Sequence, residues 1–76
     1  MKEILETIIL NIVDSPADVT ITEKAQEKET AFEVKVAEAD MGKVIGKQGK
    51  TAKAIRNVMK SVAGKEHKRV VIEFVD

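Results

Sequence analysis

The sequence predicts an α+β fold in which three helical segments pack on one face of a three-stranded mixed sheet. Apolar residues recur at helical spacing near the N-terminus and again over residues 50–63, and three short runs are rich in β-branched residues. The length sets the third constraint: 76 residues with 43% hydrophobic and 34% charged side chains hold one core and no more, so residues 1–76 read as a single domain.

Each element has a local reason. Residues 2–13 place Ile4, Leu5, Ile8, Ile9 and Ile12 on a helical stripe with Glu3, Glu6 and Asn11 off it. Asp14-Ser15-Pro16 is expected to stop this helix, because the residue before Pro is pushed out of the α region. Val19 and Ile21 alternate with Thr20 and Thr22 as a strand, residues 25–30 form the polar turn, and Phe32, Val34 and Val36 alternate with polar neighbours as a second strand hairpinned to the first. Asp40 is the expected N-cap of a short helix through Met41 to Ile45. After Gly46-Lys47-Gln48-Gly49, the set Ala52, Ile55, Met59, Val62 and Ala63 marks a helix over residues 50–63, with Gly64 as the glycine that ends it. Arg69 to Val75 is the last strand, with Val70, Ile72 and Phe74 on one face.

Composition excludes several functions. There is no Cys, which removes disulfides and thiolate metal sites and points to the cytoplasm. A single His, no Tyr and no Trp leave few groups for acid–base chemistry, metal binding or base stacking, so neither catalysis nor a cofactor is expected. His67, among Lys65, Glu66 and Lys68, reads as a solvated side chain, and Met41 and Met59 read as fillers of the core or of a groove. The apolar run Ile8 to Val13 is too short to span a bilayer, and acidic residues precede it where a signal peptide carries positive charge.

The net charge of zero conceals a polarised chain. Residues 1–40 carry four Lys against ten acids; residues 41–76 carry nine bases against Glu66, Glu73 and Asp76. Within residues 41–60 stand Lys43, Lys47, Lys50, Lys53, Arg56 and Lys60 with no acid among them, a footprint suited to a polyanion. The glycine loop lies inside this segment. Its second glycine opens a helix whose first N–H groups lack intrahelical partners, and residues without Cβ let a phosphate backbone come close. A nucleoside-triphosphate P-loop is excluded by spacing: G-x-x-x-x-G-K-[ST] would need glycine at position 44, which is Val44, and a strand where the pattern here is helical.

The run Val44-Ile45-Gly46-Lys47-Gln48-Gly49-Lys50-Thr51-Ala52-Lys53-Ala54-Ile55 resembles the signature V-I-G-x-x-G-x-x-[IA]-x-x-I of KH domains. The order α-β-β-α-α-β is similar to the type II arrangement. Ile12-Val13-Asp14-Ser15-Pro16 and Asp40-Met41-Gly42-Lys43 extend the similarity, over the whole chain, to the small stand-alone bacterial KH proteins. Ala52 stands where many KH domains have Ile. The resemblance implies sequence-tolerant binding of about four nucleotides of single-stranded RNA, an RNA-chaperone role, self-association, and partnership with a larger multidomain KH protein in peptidoglycan homeostasis and control of cell length and shape.

On this reading Gly46, Lys47, Gln48, Gly49 and Lys50 hold the sugar-phosphate backbone, Val44 and Ile45 line an apolar groove under the bases, and Lys43, Lys53 and Arg56 attract the strand at longer range. On the helix over residues 50–63, Val58 lies at the edge of the core-facing arc and leads to Ala54, away from the bases, so this edge is a candidate seam between two copies. The rival reading is a protein-interaction module with a vestigial loop, whose work is dimerisation or docking.

Overall fold

A computed structural model describes Met1 to Val75. It runs α1 (Lys2–Leu10), β1 (Thr20–Ala25), β2 (Glu29–Lys35), α2 (Met41–Ile45), α3 (Lys50–Lys65) and β3 (Arg69–Val75), with 3-10 turns at Pro16–Asp18, Glu38–Asp40 and Lys47–Gly49. The expected element order and mixed sheet are both present: β2 is central, antiparallel to β1 and parallel to β3. The short turn Gln26-Glu27-Lys28 joins the antiparallel pair, whereas a parallel pair needs a crossover, which α2 and α3 supply.

Strand alternation then sorts the side chains. Ile21, Phe32, Val34 and Ile72 point to the helices and meet Leu5, Ile9, Val44, Ile55 and Met59 in one buried cluster. Burying each of these large side chains contributes about 1.5–3 kcal/mol. The other face of the sheet is wet, and there Lys24 Nζ donates to Glu33 Oε1 at 2.8 Å.

Three boundaries differ from the sequence reading. α1 ends at Leu10, well before Pro16, because Asn11 Nδ2 donates to the Thr7 carbonyl at 2.7 Å and the Ile12 N–H turns back to the Ile9 carbonyl at 3.0 Å, tightening the last turn. Pro16 instead opens the first 3-10 turn, where a missing N–H costs nothing. On α1 the buried positions are Leu5 and Ile9, and Ile4 is exposed, so the apolar stripe is narrower than its pattern.

The hairpin is longer than expected. Thr22 to Ala25 continue β1, and Thr30 pairs with Ala25, leaving only residues 26–28 as the turn. Thr30 is fully buried, and its Oγ1 has no hydrogen-bond partner among the described residues.

α3 continues through Gly64 to Lys65, so Gly64 is not the terminating residue. Termination falls three residues later on His67, which takes the left-handed conformation (φ +58). Its N–H donates to the Gly64 carbonyl at 3.1 Å, and the Lys68 N–H donates to the Ala63 carbonyl at 3.0 Å, the paired bonds of a Schellman turn. The His67 side chain is exposed, as expected, while its backbone carries the turn into β3.

Candidate nucleic-acid interface

The glycine loop leaves α2 and enters α3 through three residues of positive φ. Gly46 (φ +79, ψ 173) occupies a region open only to glycine, and Gln48 (φ +58) and Gly49 (φ +74) are left-handed. Gly46 is doubly fixed: a Cβ there would stand 2.3 Å from Thr51 Oγ1 and 2.7 Å from the Thr51 backbone nitrogen. At Gly49 a Cβ would meet nothing within 4 Å, so its requirement is conformational alone. The fold itself therefore needs both glycines. What the turn produces is an outward-facing Lys47-Gln48 pair, both exposed, with exposed Lys50 beginning α3, which has no side-chain cap at its N-terminus.

Helical spacing continues the charge along α3. Ala52, Ile55, Met59 and Ala63 are buried, which turns Lys53, Arg56 and Lys60 outward together on the neighbouring stripe. Arg56 is the most constrained of them. Its Nε donates to the Ile72 carbonyl at 3.2 Å, and its guanidinium lies 5.5 Å from the centre of the Phe74 ring, so α3 is held against β3 at this point.

Two expected binding residues are placed differently. Val44 is fully buried in the core cluster and supports the loop from inside; of the pair expected to line the groove, only half-buried Ile45 reaches the surface. Alternation explains this, since a five-residue helix packed on α3 can turn only one of two adjacent residues inward. Lys43 is exposed, yet its ammonium pairs with the Asp14 carboxylate and lies 3.9 Å from Asp40 Oδ1. The Asp14 hydrogen bond raises Lys43 above its ordinary value, so the side chain stays charged.

Asp40 does not cap α2. Its own backbone is already helical (φ −94, ψ −10) because the 3-10 turn before it runs directly into α2, whereas a capping residue needs an extended conformation. The carboxylate turns the other way: Oδ1 accepts the Asp14 N–H at 3.2 Å and Oδ2 accepts the Ser15 N–H at 3.0 Å. At 2% exposure, Asp40 ties the connection between α1 and β1 to the start of the loop-bearing helix. Sequence reasoning missed this role, because the partners of Asp40 are backbone N–H groups, which leave no mark in the sequence.

Ala54 is exposed and Val58 is 47% exposed, so neither serves the core. Among the described residues no group of His, Cys, Asp and Glu could hold a metal ion, and no helix is long and apolar enough to cross a membrane.

A glycine loop of this shape between two helices, set against a mixed sheet whose parallel strands flank those helices in sequence, defines a KH domain. The comparisons give the particular family. The family described as KhpA/KhpB, KH domain matches residues 2–74, and the chain belongs to it. The chain is 55% identical over 75 residues to the RNA-binding protein KhpA of Clostridium acetobutylicum and 52% identical to that of Clostridium perfringens, covering 99% of this chain and 100% of each relative. The RNA-binding protein KhpA of Caldanaerobacter subterraneus subsp. tengcongensis is 47% identical with the same coverage. These relatives are named for binding and not for catalysis.

Proposed function

We propose that residues 1–76 act as one non-enzymatic unit that binds single-stranded RNA through the loop Gly46 to Gly49. The observation that carries this is the loop's form: a turn stripped of side chains at both glycines, presenting Lys47 and Gln48 to solvent at the uncapped start of a helix whose outer stripe is basic. Backbone N–H groups and the ammonium groups of Lys47 and Lys50 hold phosphates, Ile45 offers apolar surface beside them, and Lys53 and Arg56 supply attraction screened by salt. The names of the relatives support the same ligand. Lys43 takes a lesser part than its position suggests, because Asp14 occupies it.

Membership of a family described by two proteins supports a KhpB-like, larger multidomain KH protein as partner, and with it a cytoplasmic RNA-chaperone role in cell-envelope and cell-length control. Exposed Val58 and Ala54 support self-association along the outer edge of α3. The same exposure favours the second reading, a docking module with an idle loop. Lys47→Asp combined with Gln48→Asp decides between them, since both side chains are exposed and Asp tolerates a left-handed backbone. RNA binding in a gel-shift titration is lost while the thermal melt stays within a few degrees of the parent. Unchanged affinity would leave the docking module standing.

A further inference from the structure

We infer that a hollow at the start of α2 is a seat for one guanine base of the bound RNA, read by Glu38 and Lys35. This deepens the RNA reading above and rests on it. β2 ends at Lys35, the chain turns through the 3-10 segment Glu38–Asp40, and α2 begins at Met41. These elements border a hollow of about 440 Å³ lined by Lys35, Val36, Glu38 and Met41. Val36 is buried in the core cluster and half-buried Met41 packs against it, so the two give the hollow an apolar wall. Lys35 and Glu38 are exposed, and neither joins an ion pair among the described residues.

The position suits a base of a strand held at the loop. Met41 and Ile45 stand four residues apart on one face of α2, about 6 Å along its axis at 1.5 Å per residue, so the hollow and the glycine loop lie at the two ends of one helical turn. A strand of about four nucleotides at the loop reaches over that distance. The segment that carries Glu38 is also pinned: the Asp40 N–H donates to the Ala37 carbonyl at 2.8 Å, and the buried Asp40 carboxylate accepts the Asp14 and Ser15 N–H groups. Chemistry then selects the base. A carboxylate accepts two adjacent N–H groups, and guanine alone among the RNA bases carries two side by side on its Watson–Crick edge, N1–H and N2–H, with the O6 acceptor beside them for the Lys35 ammonium. Uracil sets its single N3–H between two carbonyl oxygens, which a carboxylate repels. Adenine and cytosine each offer one amino group next to an acceptor nitrogen. The Met41 thioether and Val36 suit the flat face of a purine.

Fluorescence titrations of the full chain with oligouridylates of about six nucleotides, carrying one guanosine, inosine, adenosine or cytidine at each position in turn, test this. The parent is expected to bind its best guanosine oligomer roughly tenfold more tightly than the plain uridylate, at the low end for one bidentate base contact. Inosine, which lacks the N2 amino group, loses most of that gain. Glu38→Gln, on an exposed side chain, brings the guanosine and uridine affinities together while the thermal melt stays close to that of the parent. A guanosine preference that survives Glu38→Gln, a preference for adenosine or cytidine instead, or equal affinity for all the oligomers overturns the base seat and leaves the loop clamp intact. Equal affinity is also the result that a seat for a protein side chain would give. A parent that binds none of the oligomers overturns the RNA reading, and the base seat with it.

Discussion

The carboxylate of Asp40 and the backbone N–H of Ser15 meet at 3.0 Å across 25 residues of chain, with the Asp14 N–H on the second oxygen. One buried side chain thus fixes the exit of α1 relative to the helix that carries the glycine loop.

Asp40→Ala leaves two part-buried donors without their charged acceptor and is expected to cost about 2–3 kcal/mol. In a domain of this size that lowers the melting temperature by roughly 10–20 °C. Asp40→Asn keeps an acceptor oxygen and recovers part of the loss. Denaturant midpoints check the order wild type, Asn, Ala; an Ala variant as stable as the parent would show that the tie contributes nothing.

The two loop glycines are unequal. Gly49→Ala meets only the left-handed penalty of about 1–2 kcal/mol, whereas Gly46→Ala adds a collision with the Thr51 backbone nitrogen, which no side-chain rotation relieves. Gly46→Ala therefore destabilises more, and adding Thr51→Ala does not restore it. Equal melting temperatures for the two single variants would contradict the geometry.

Asp14→Asn releases Lys43 toward the loop. Stability should change by less than about 1 kcal/mol, because both side chains of the pair are largely exposed. RNA affinity at low salt should rise a few-fold, with the log–log salt slope steeper by about 0.7. Lys43 is protonated throughout the neutral range, so the gain should be flat with pH there. A titration in which Asp14→Asn binds no better than the parent would remove Lys43 from the interface.

Val58→Asp places a charge on an exposed position of α3 that the core does not use. If two copies meet along Ala54 and Val58, sedimentation finds a folded monomer where the parent is a dimer. A dimer that persists, or a parent that is monomeric at the same concentration, counts against that seam.

Much of this was legible in the sequence because periodicity and burial agree. Ala52, Ile55, Met59 and Ala63 recur at helical spacing and are all buried, and the alternation of Phe32, Val34 and Val36 predicted which side chains in and just after the second strand face the core, although not the strand's start at Glu29. The loop glycines read as places where a phosphate backbone can come close, and both also stand at positive φ. The misses share a cause: they are tertiary choices among locally equivalent options. Gly64 and His67 are both within reach of the helix end, and only the docking of β3 selects the later turn, in which His accepts a conformation that Gly would adopt more readily. Thr30 reads as polar turn until the full length of the hairpin carries it into the core. Asp40 has every local mark of a helix cap, and its partners lie in a segment that no local pattern could nominate. Val44 and Ile45 are equally apolar, and which of them faces outward depends on how α2 sits on α3.

The central position of β2 sets an order of assembly during synthesis. Its first neighbour precedes it in the chain, so the β1–β2 hairpin can close once residue 35 has emerged from the ribosome. Its second neighbour is the last element along the chain, and until residues 69–75 have followed, one edge of β2 and part of the surface around Phe32 and Ile55 remain uncovered. A nascent chain at that stage offers an open strand edge to any other chain that can pair with it. The same late strand supplies the Ile72 carbonyl and the Phe74 ring that hold Arg56, so the outer stripe of α3 is fixed in the step that closes the sheet.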